Sequence, residues 1–188
     1  MSRTIKINFQ GPVGLIEASL DLPDEVRHAP GSYKPRGIAL VAHPHPLLGG
    51  TMDNKVAQTL ARTFAQLGYV TLRPNFRGVG ATEGVHDDGK GEAQDLLAVI
   101  AWMKDPFSWQ GIKELDGHAW PQLVEELPLA MAGFSFGSYV SSYVVKELTE
   151  KNEAPERLIM VGSATSKWDV APVDRKSTRL NSSHIPLS

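Results

Sequence analysis

The chain has 188 residues, enough for one domain with a substantial core. Hydrophobic content of 41% and charged content of 21% are ordinary for a soluble globular protein, and a net charge of −2 gives no reason to expect nucleic acid or an anionic membrane as partner. Cysteine is absent, which excludes disulfides and thiolate catalysis. No apolar run approaches bilayer length, and the start MSRTIKINFQG lacks the apolar core of a secretion signal. A cytoplasmic location is therefore the default expectation.

Thr4 to Phe9 alternates polar and apolar residues, and Leu15 to Leu22 alternates again after the Gly11-Pro12 and Gly14 turn signal. The pair predicts an antiparallel hairpin at a sheet edge. Residues 23–36 read as a polar, proline-containing loop in which His28 is solvated. Gly37 to Ala42 (GIALVA) is a continuous apolar run, the pattern of a strand buried on both faces of a parallel sheet. It ends in HPHPLLGGT, residues 43–51, where α/β folds build sites. A helix is expected over Asn54–Leu67, with Val56, Leu60, Phe64 and Leu67 on one face and Gly68 closing it. Tyr69–Leu72 is the next strand. A loop rich in glycine and acids follows, and Glu92–Met103 reads as a helix with Leu96, Val99, Ile100 and Met103 toward the core.

Residues 105–126 break the rhythm with Pro106, Gly111, Pro121, Phe107, Trp109 and Trp120, and predict an irregular excursion. Core or surface packing is the expected role of these aromatics, with a functional loop as the alternative, and His118 is expected as an exposed loop residue. Leu129 to Ala132 then leads into Gly133-Phe134-Ser135-Phe136-Gly137, with a second apolar stretch behind it. This predicts strand, sharp turn and helix with Ser135 at the apex, the form of a nucleophile elbow. The two glycines let strand and helix approach closely, and the helix points its amides back at the serine. The helix is expected to run to about Leu148, and Arg157–Val161 forms another buried strand. Alternation of strands and helices from residue 37 predicts a doubly wound, mostly parallel α/β sheet.

Three blocks, HPHPLLGGTMDNKV (43–56), RPNFRGVGATEG (73–84) with GKGEAQDLLAVIAW (89–102), and AGFSFGSYV (132–140), resemble the α/β-hydrolase superfamily. More narrowly, they are similar to its small bacterial branch of dienelactone-hydrolase-like and uncharacterised proteins. The resemblance implies that Ser135 is a nucleophile acylated by an ester-like carbonyl, with a small-molecule substrate as partner. An oxyanion hole would draw one donor from the backbone N–H of Phe136, the residue after the nucleophile. The other would come from the loop after GIALVA. Among residues 44–46 only His45 has a backbone N–H, because Pro44 and Pro46 have none.

The rings of His43 and His45 are expected to pack and bond so as to fix that loop. Two histidines at this spacing could hold a metal, but no carboxylate completes a set within the loop, so neither metal nor other cofactor is expected. Arg77, Asp87, Asp88, Glu92 and Asp95 read as loop-bracing ion pairs and an acid-dressed helix start, with substrate positioning as the alternative. Gly78 to Gly84 comes near a dinucleotide fingerprint. Its last glycine is one residue late and acids follow where a pyrophosphate would bind, so a dinucleotide-binding protein is a remote alternative. A non-catalytic binding module on a hydrolase fold is a nearer one.

The order Ser…Asp/Glu…His is met formally by Ser135, Asp174 and His184. That triad is rejected, because residues 174–184, DRKSTRLNSSH, resemble the translation of a common DNA-sequencing adapter. The reading is a partial hydrolase domain over 1–173, truncated at its C-terminus, and a non-native tail over 174–188. On it, about 30–50 residues carrying the acid and histidine are missing. The chain 1–188 is then expected to be inactive and poorly stable, with His43 and His45 unable to replace the base.

Overall fold

The computed structural model describes residues 3–28, 31, 33–163 and 167–172. Its centre is a six-stranded sheet in the order β1-β2-β4-β3-β5-β6. The strands are β1 (Arg3–Gly11), β2 (Gly14–Leu22), β3 (Gly37–Ala42), β4 (Tyr69–Pro74), β5 (Leu129–Phe134) and β6 (Arg157–Val161). The first two form the expected antiparallel hairpin, with Ile5 opposite Leu20 and Ile7 opposite Ala18. β2 joins β4 antiparallel, and β4, β3, β5 and β6 run parallel. β4 is two residues longer than its apolar run, because Arg73 and Pro74 pair with Ser19 and Ala18 of β2.

The strand period of two sorts side chains between two layers. Ile38, Leu40 and Ala42 of β3 join the larger core, with α3 (Lys90–Lys104) and α4 (Phe136–Glu150) on that face. Ala39 and Val41 face the opposite layer, where α2 (Lys55–Gln66) packs. The α3 face is as expected: Leu96, Val99, Ile100 and Met103 are all buried. The α2 face differs. Ala57, Ala61, Phe64 and Ala65 are buried, Val56 and Leu60 are partly exposed, and Leu67 is 51% exposed. Phe64 keeps its expected place and Leu60 packs at the margin, but Ala57 and Ala61 take the centre because the helix lies on Ala39, Ala130 and Ala132, and small side chains permit the close approach. Asn54 caps α2, its Oδ1 accepting from the Val56 and Ala57 N–H groups.

A short α1 (Glu25–His28) occupies the expected loop, and His28 is exposed. The excursion contains three 3-10 turns, Pro106–Trp109, Lys113–Leu115 and Trp120–Glu126. Trp109 and Trp120 are buried with ring centroids 5.2 Å apart, whereas Phe107 is exposed. His118 is half-buried rather than exposed. Among the described residues no helix is long and apolar enough to cross a membrane.

Candidate active site

The site lies at the carboxyl ends of β3, β4 and β5. At the elbow, β5 ends at Phe134 and α4 starts at Phe136. Ser135 between them has φ 54° and ψ −115°, a conformation in which a residue with a side chain is strained. The surroundings hold it there. The Ser135 N–H donates to the Val161 carbonyl at 2.9 Å, and the Ser138 hydroxyl donates to the Gly133 carbonyl at 2.7 Å. The glycines are required by space. A Cβ on Gly133 would lie 2.5 Å from the Ser138 nitrogen, and one on Gly137 would lie 2.6 Å from the His43 carbonyl oxygen. Strand β5, helix α4 and the end of β3 meet here backbone to backbone. Ser135 is half-buried, and its hydroxyl makes no hydrogen bond among the described residues.

Two loops surround the serine. In the loop after β3, His43 is fully buried. Its Nδ1–H donates to the Pro44 carbonyl at 2.7 Å and its Nε2 accepts the Phe76 N–H at 2.9 Å. Acceptance at Nε2 requires the neutral ring, and burial pushes the His43 pKa down to about 4. His45 starts the 3-10 turn Pro46–Leu48, its Nδ1 accepting the Leu47 N–H at 3.2 Å. Its carbonyl accepts from Leu48 and Gly50, which curls the loop back on itself. Its ring lies 4.7 Å from Phe136, 4.8 Å from His86 and 5.6 Å from Trp168, centroid to centroid. Burial, and then the charge of His86, hold the His45 imidazole below its usual pKa. The His45 N–H meets no acceptor among the described residues. Phe136 opens α4, where a leading N–H has no intrahelical acceptor.

In the loop after β4, Arg77 binds Asp95 in a bidentate pair, Nε to Oδ2 and Nη2 to Oδ1, both at 2.8 Å and both side chains buried. Those bonds raise the Arg77 pKa further. Glu92 is fully buried and accepts the Asp87 N–H at 3.0 Å and the Gly89 N–H at 2.8 Å, closing the start of α3. Asp87 and Asp88 are exposed. The cluster therefore braces a loop. Gly78 and Gly80 lie in turns at positive φ, and the next helix opens only at Lys90, well past the fingerprint glycines. Among the described residues no group of three or more His, Asp or Glu could hold a metal. Asp174 and His184, with the whole 174–188 tail, lie outside the described residues.

His86, which no sequence pattern singles out, also lies at the site. Its Nδ1 lies 2.7 Å from Glu92 Oε1 and its Nε2 lies 3.4 Å from Asp88 Oδ1, with the side chain 11% exposed. The short Glu92 approach is oblique, outside the alignment of an N–H···O bond. The only sequence signal was a histidine six residues before a glutamate at a helix start, a spacing with no periodic meaning.

Comparison with known proteins matches residues 28–172 to the family model described as X-Pro dipeptidyl-peptidase (S15 family). An uncharacterized protein of Rickettsia prowazekii is 35% identical over 147 residues, covering 78% of this chain and 52% of its own length. A lidless α/β serine hydrolase from Xanthomonas campestris is 32% identical with a TM-score of 0.71, over 92% of this chain and 66% of that one. An α/β serine hydrolase homologue from Coxiella burnetii is 34% identical with a TM-score of 0.66, over 86% and 64%. The chain thus spans about half the length of the curated relative and about two thirds of these structures. With the six-stranded mixed sheet and the strained serine turn between β5 and α4, these matches show that the chain belongs to the α/β-hydrolase superfamily, within the S15 peptidase family.

Proposed function

We propose that Ser135 is the nucleophile of an acyl hydrolase acting on ester-like substrates. The observation that carries this reading is the backbone of Ser135, held at φ 54° at the head of α4 with a glycine two residues away in each direction. Such strain at a half-buried serine has a use when the hydroxyl must face a substrate. In the proposed reaction the Oγ attacks the carbonyl carbon and its proton passes to a base. The carbonyl oxygen becomes an oxyanion facing the N–H groups of Phe136 and His45. Collapse expels the alcohol with the proton, leaving an acyl ester on Ser135 that water then hydrolyses.

The supporting facts are the two N–H groups without an acceptor and the ring contact that joins their residues. We assign the acid and the histidine of the triad to a longer parent, beyond residue 173, and expect 1–188 itself to be inactive. The family description favours a second substrate class, X-Pro peptides, cleaved by the same acyl chemistry.

A fluorophosphonate probe on the complete parent tests the reading. Labelling should map to Ser135 and vanish in Ser135→Ala. Labelling at another residue, or none, sinks it and leaves a binding module. Turnover of p-nitrophenyl acetate against an X-Pro p-nitroanilide separates the two substrate classes. Ester turnover by 1–188 that Ser135→Ala abolishes would overturn the expectation of inactivity.

A further inference from the structure

The two loops beside Ser135 are joined at three points: the Met52 N–H donates to Asn75 Oδ1 at 2.8 Å, and the other two joins are histidines. One is His43, whose Nε2 accepts the Phe76 N–H. The other is the contact between the rings of His86 and His45, 4.8 Å apart at 50°. His86 is 5.5 Å from the Phe136 ring as well. It therefore touches both residues whose N–H groups face the site in the reading above. It comes from the braced loop, with the buried Glu92 at 2.7 Å and the exposed Asp88 at 3.4 Å on its two nitrogens.

Glu92 is itself fixed by two backbone N–H groups at the start of α3. A chain of contacts thus runs from α3 through Glu92 and His86 to the His45 ring. The loop that carries His45 is tied at its far end, where the buried Met52 N–H donates to Asn75 Oδ1, but its His45–Leu48 stretch has little else of its own. Leu47 and Leu48 are 72% and 76% exposed, and its internal bonds are local. A loop with exposed side chains and short-range bonds takes its position from what it leans on.

We propose that His86 is a positioning residue: its ring seats His45 against Phe136 and so aligns their two N–H groups beside Ser135. The proposal rests on the reading of Ser135 as nucleophile. His86 touches no reacting atom. What it contributes is shape: an aromatic face at a fixed distance from His45. Trp168 supplies a second such face, 5.6 Å from the His45 ring.

The test uses the full chain labelled with nitrogen-15. The signals to follow are the His45 and Phe136 backbone amides and the His45 imidazole nitrogens, with the His43 imidazole as internal control. His86→Ala should shift or broaden the three His45 and Phe136 signals and leave His43 in place. His86→Phe, which keeps a ring, should restore them. His86→Gln, which keeps a donor toward Glu92 without a ring, should not. Unchanged His45 and Phe136 signals in His86→Ala overturn the proposal. Restoration by Gln as full as by Phe overturns it too, because the Glu92 contact would then be the whole role. If Ala unfolds the chain, the Phe and Gln variants carry the same contrast. These signals do not involve the Ser135 hydroxyl. Failure of probe labelling would therefore sink the nucleophile reading alone.

Discussion

The loop after β3 and the loop after β4 lie side by side and are built oppositely. In the loop after β4 the charged side chains turn inward. Arg77 closes on Asp95, and Glu92 takes two backbone N–H groups of its own loop. In the loop after β3 the prolines remove donors, the leucines face outward, and the His45 N–H is left without an acceptor. One loop uses its polar groups for rigidity; the other leaves a backbone donor free. The difference teaches that a site of this kind needs a stiff neighbour as much as it needs reactive groups. Four substitutions break or sharpen the contrast.

The largest effect is expected from Arg77→Ala. It strands the Asp95 carboxylate in a buried position, which costs about 3–5 kcal/mol. Urea unfolding should show a lower midpoint with little change in slope. Loss below about 1 kcal/mol would mean that the loop after β4 is not braced by this pair.

Gly137→Ala comes next. Its methyl would meet the Ala42 and His43 carbonyls, backbone atoms that cannot swing aside. About 3 kcal/mol is the expected cost, the upper end for overpacking. Thermal melting reads it. A variant as stable as the parent would show that α4 can slide away from β3.

His43 gives a pH signature. The unfolded imidazole titrates near 6.5 and the folded one near 4. Above the unfolded value both states are neutral, and the contribution is fully present. As pH falls from 6.5 toward 4 the unfolded chain takes up the proton first, and stability is lost. The total is about 3 kcal/mol, from roughly 1.4 kcal/mol per pKa unit. Denaturation at several pH values should show this slope, and His43→Phe should flatten it. An unchanged slope in the variant would assign the acid sensitivity to other groups.

Asn54→Ala probes the exit of the loop after β3. It removes the cap of α2 and should cost about 1 kcal/mol, read by thermal melting. No change would mean that the sheet, not the cap, sets where α2 begins.

Much of the fold was legible in the chain itself. Apolar runs of strand length gave the bounds of β3 and β6 to the residue; β3 is covered on both faces, whereas β6, expected as a buried strand, lies at the sheet edge and is buried only on alternate residues. The elbow was legible because Gly133 and Gly137 answer a spatial need that no other residue meets. His43 as a loop pin, and the acid cluster as a brace, also followed from residue type and neighbourhood. The α2 face followed only in part: Phe64 and Leu60 pack as expected, but alanines carry almost no periodic signal yet decide how closely a helix can lie on a sheet. His86 did not follow, because its meaning comes from residues distant in sequence.

Local sequence thus determined the parallel sheet, the serine turn and the kinds of residue around it. These depend on hydrophobic period, glycine and proline, which act within a few residues of themselves. Only the tertiary structure decided which helix face is buried, that Arg77 is matched to Asp95 and not to its nearer acids, and that His86 leans on His45. Those are contacts between segments distant in sequence, set by the packing of whole layers, and no local pattern encodes them.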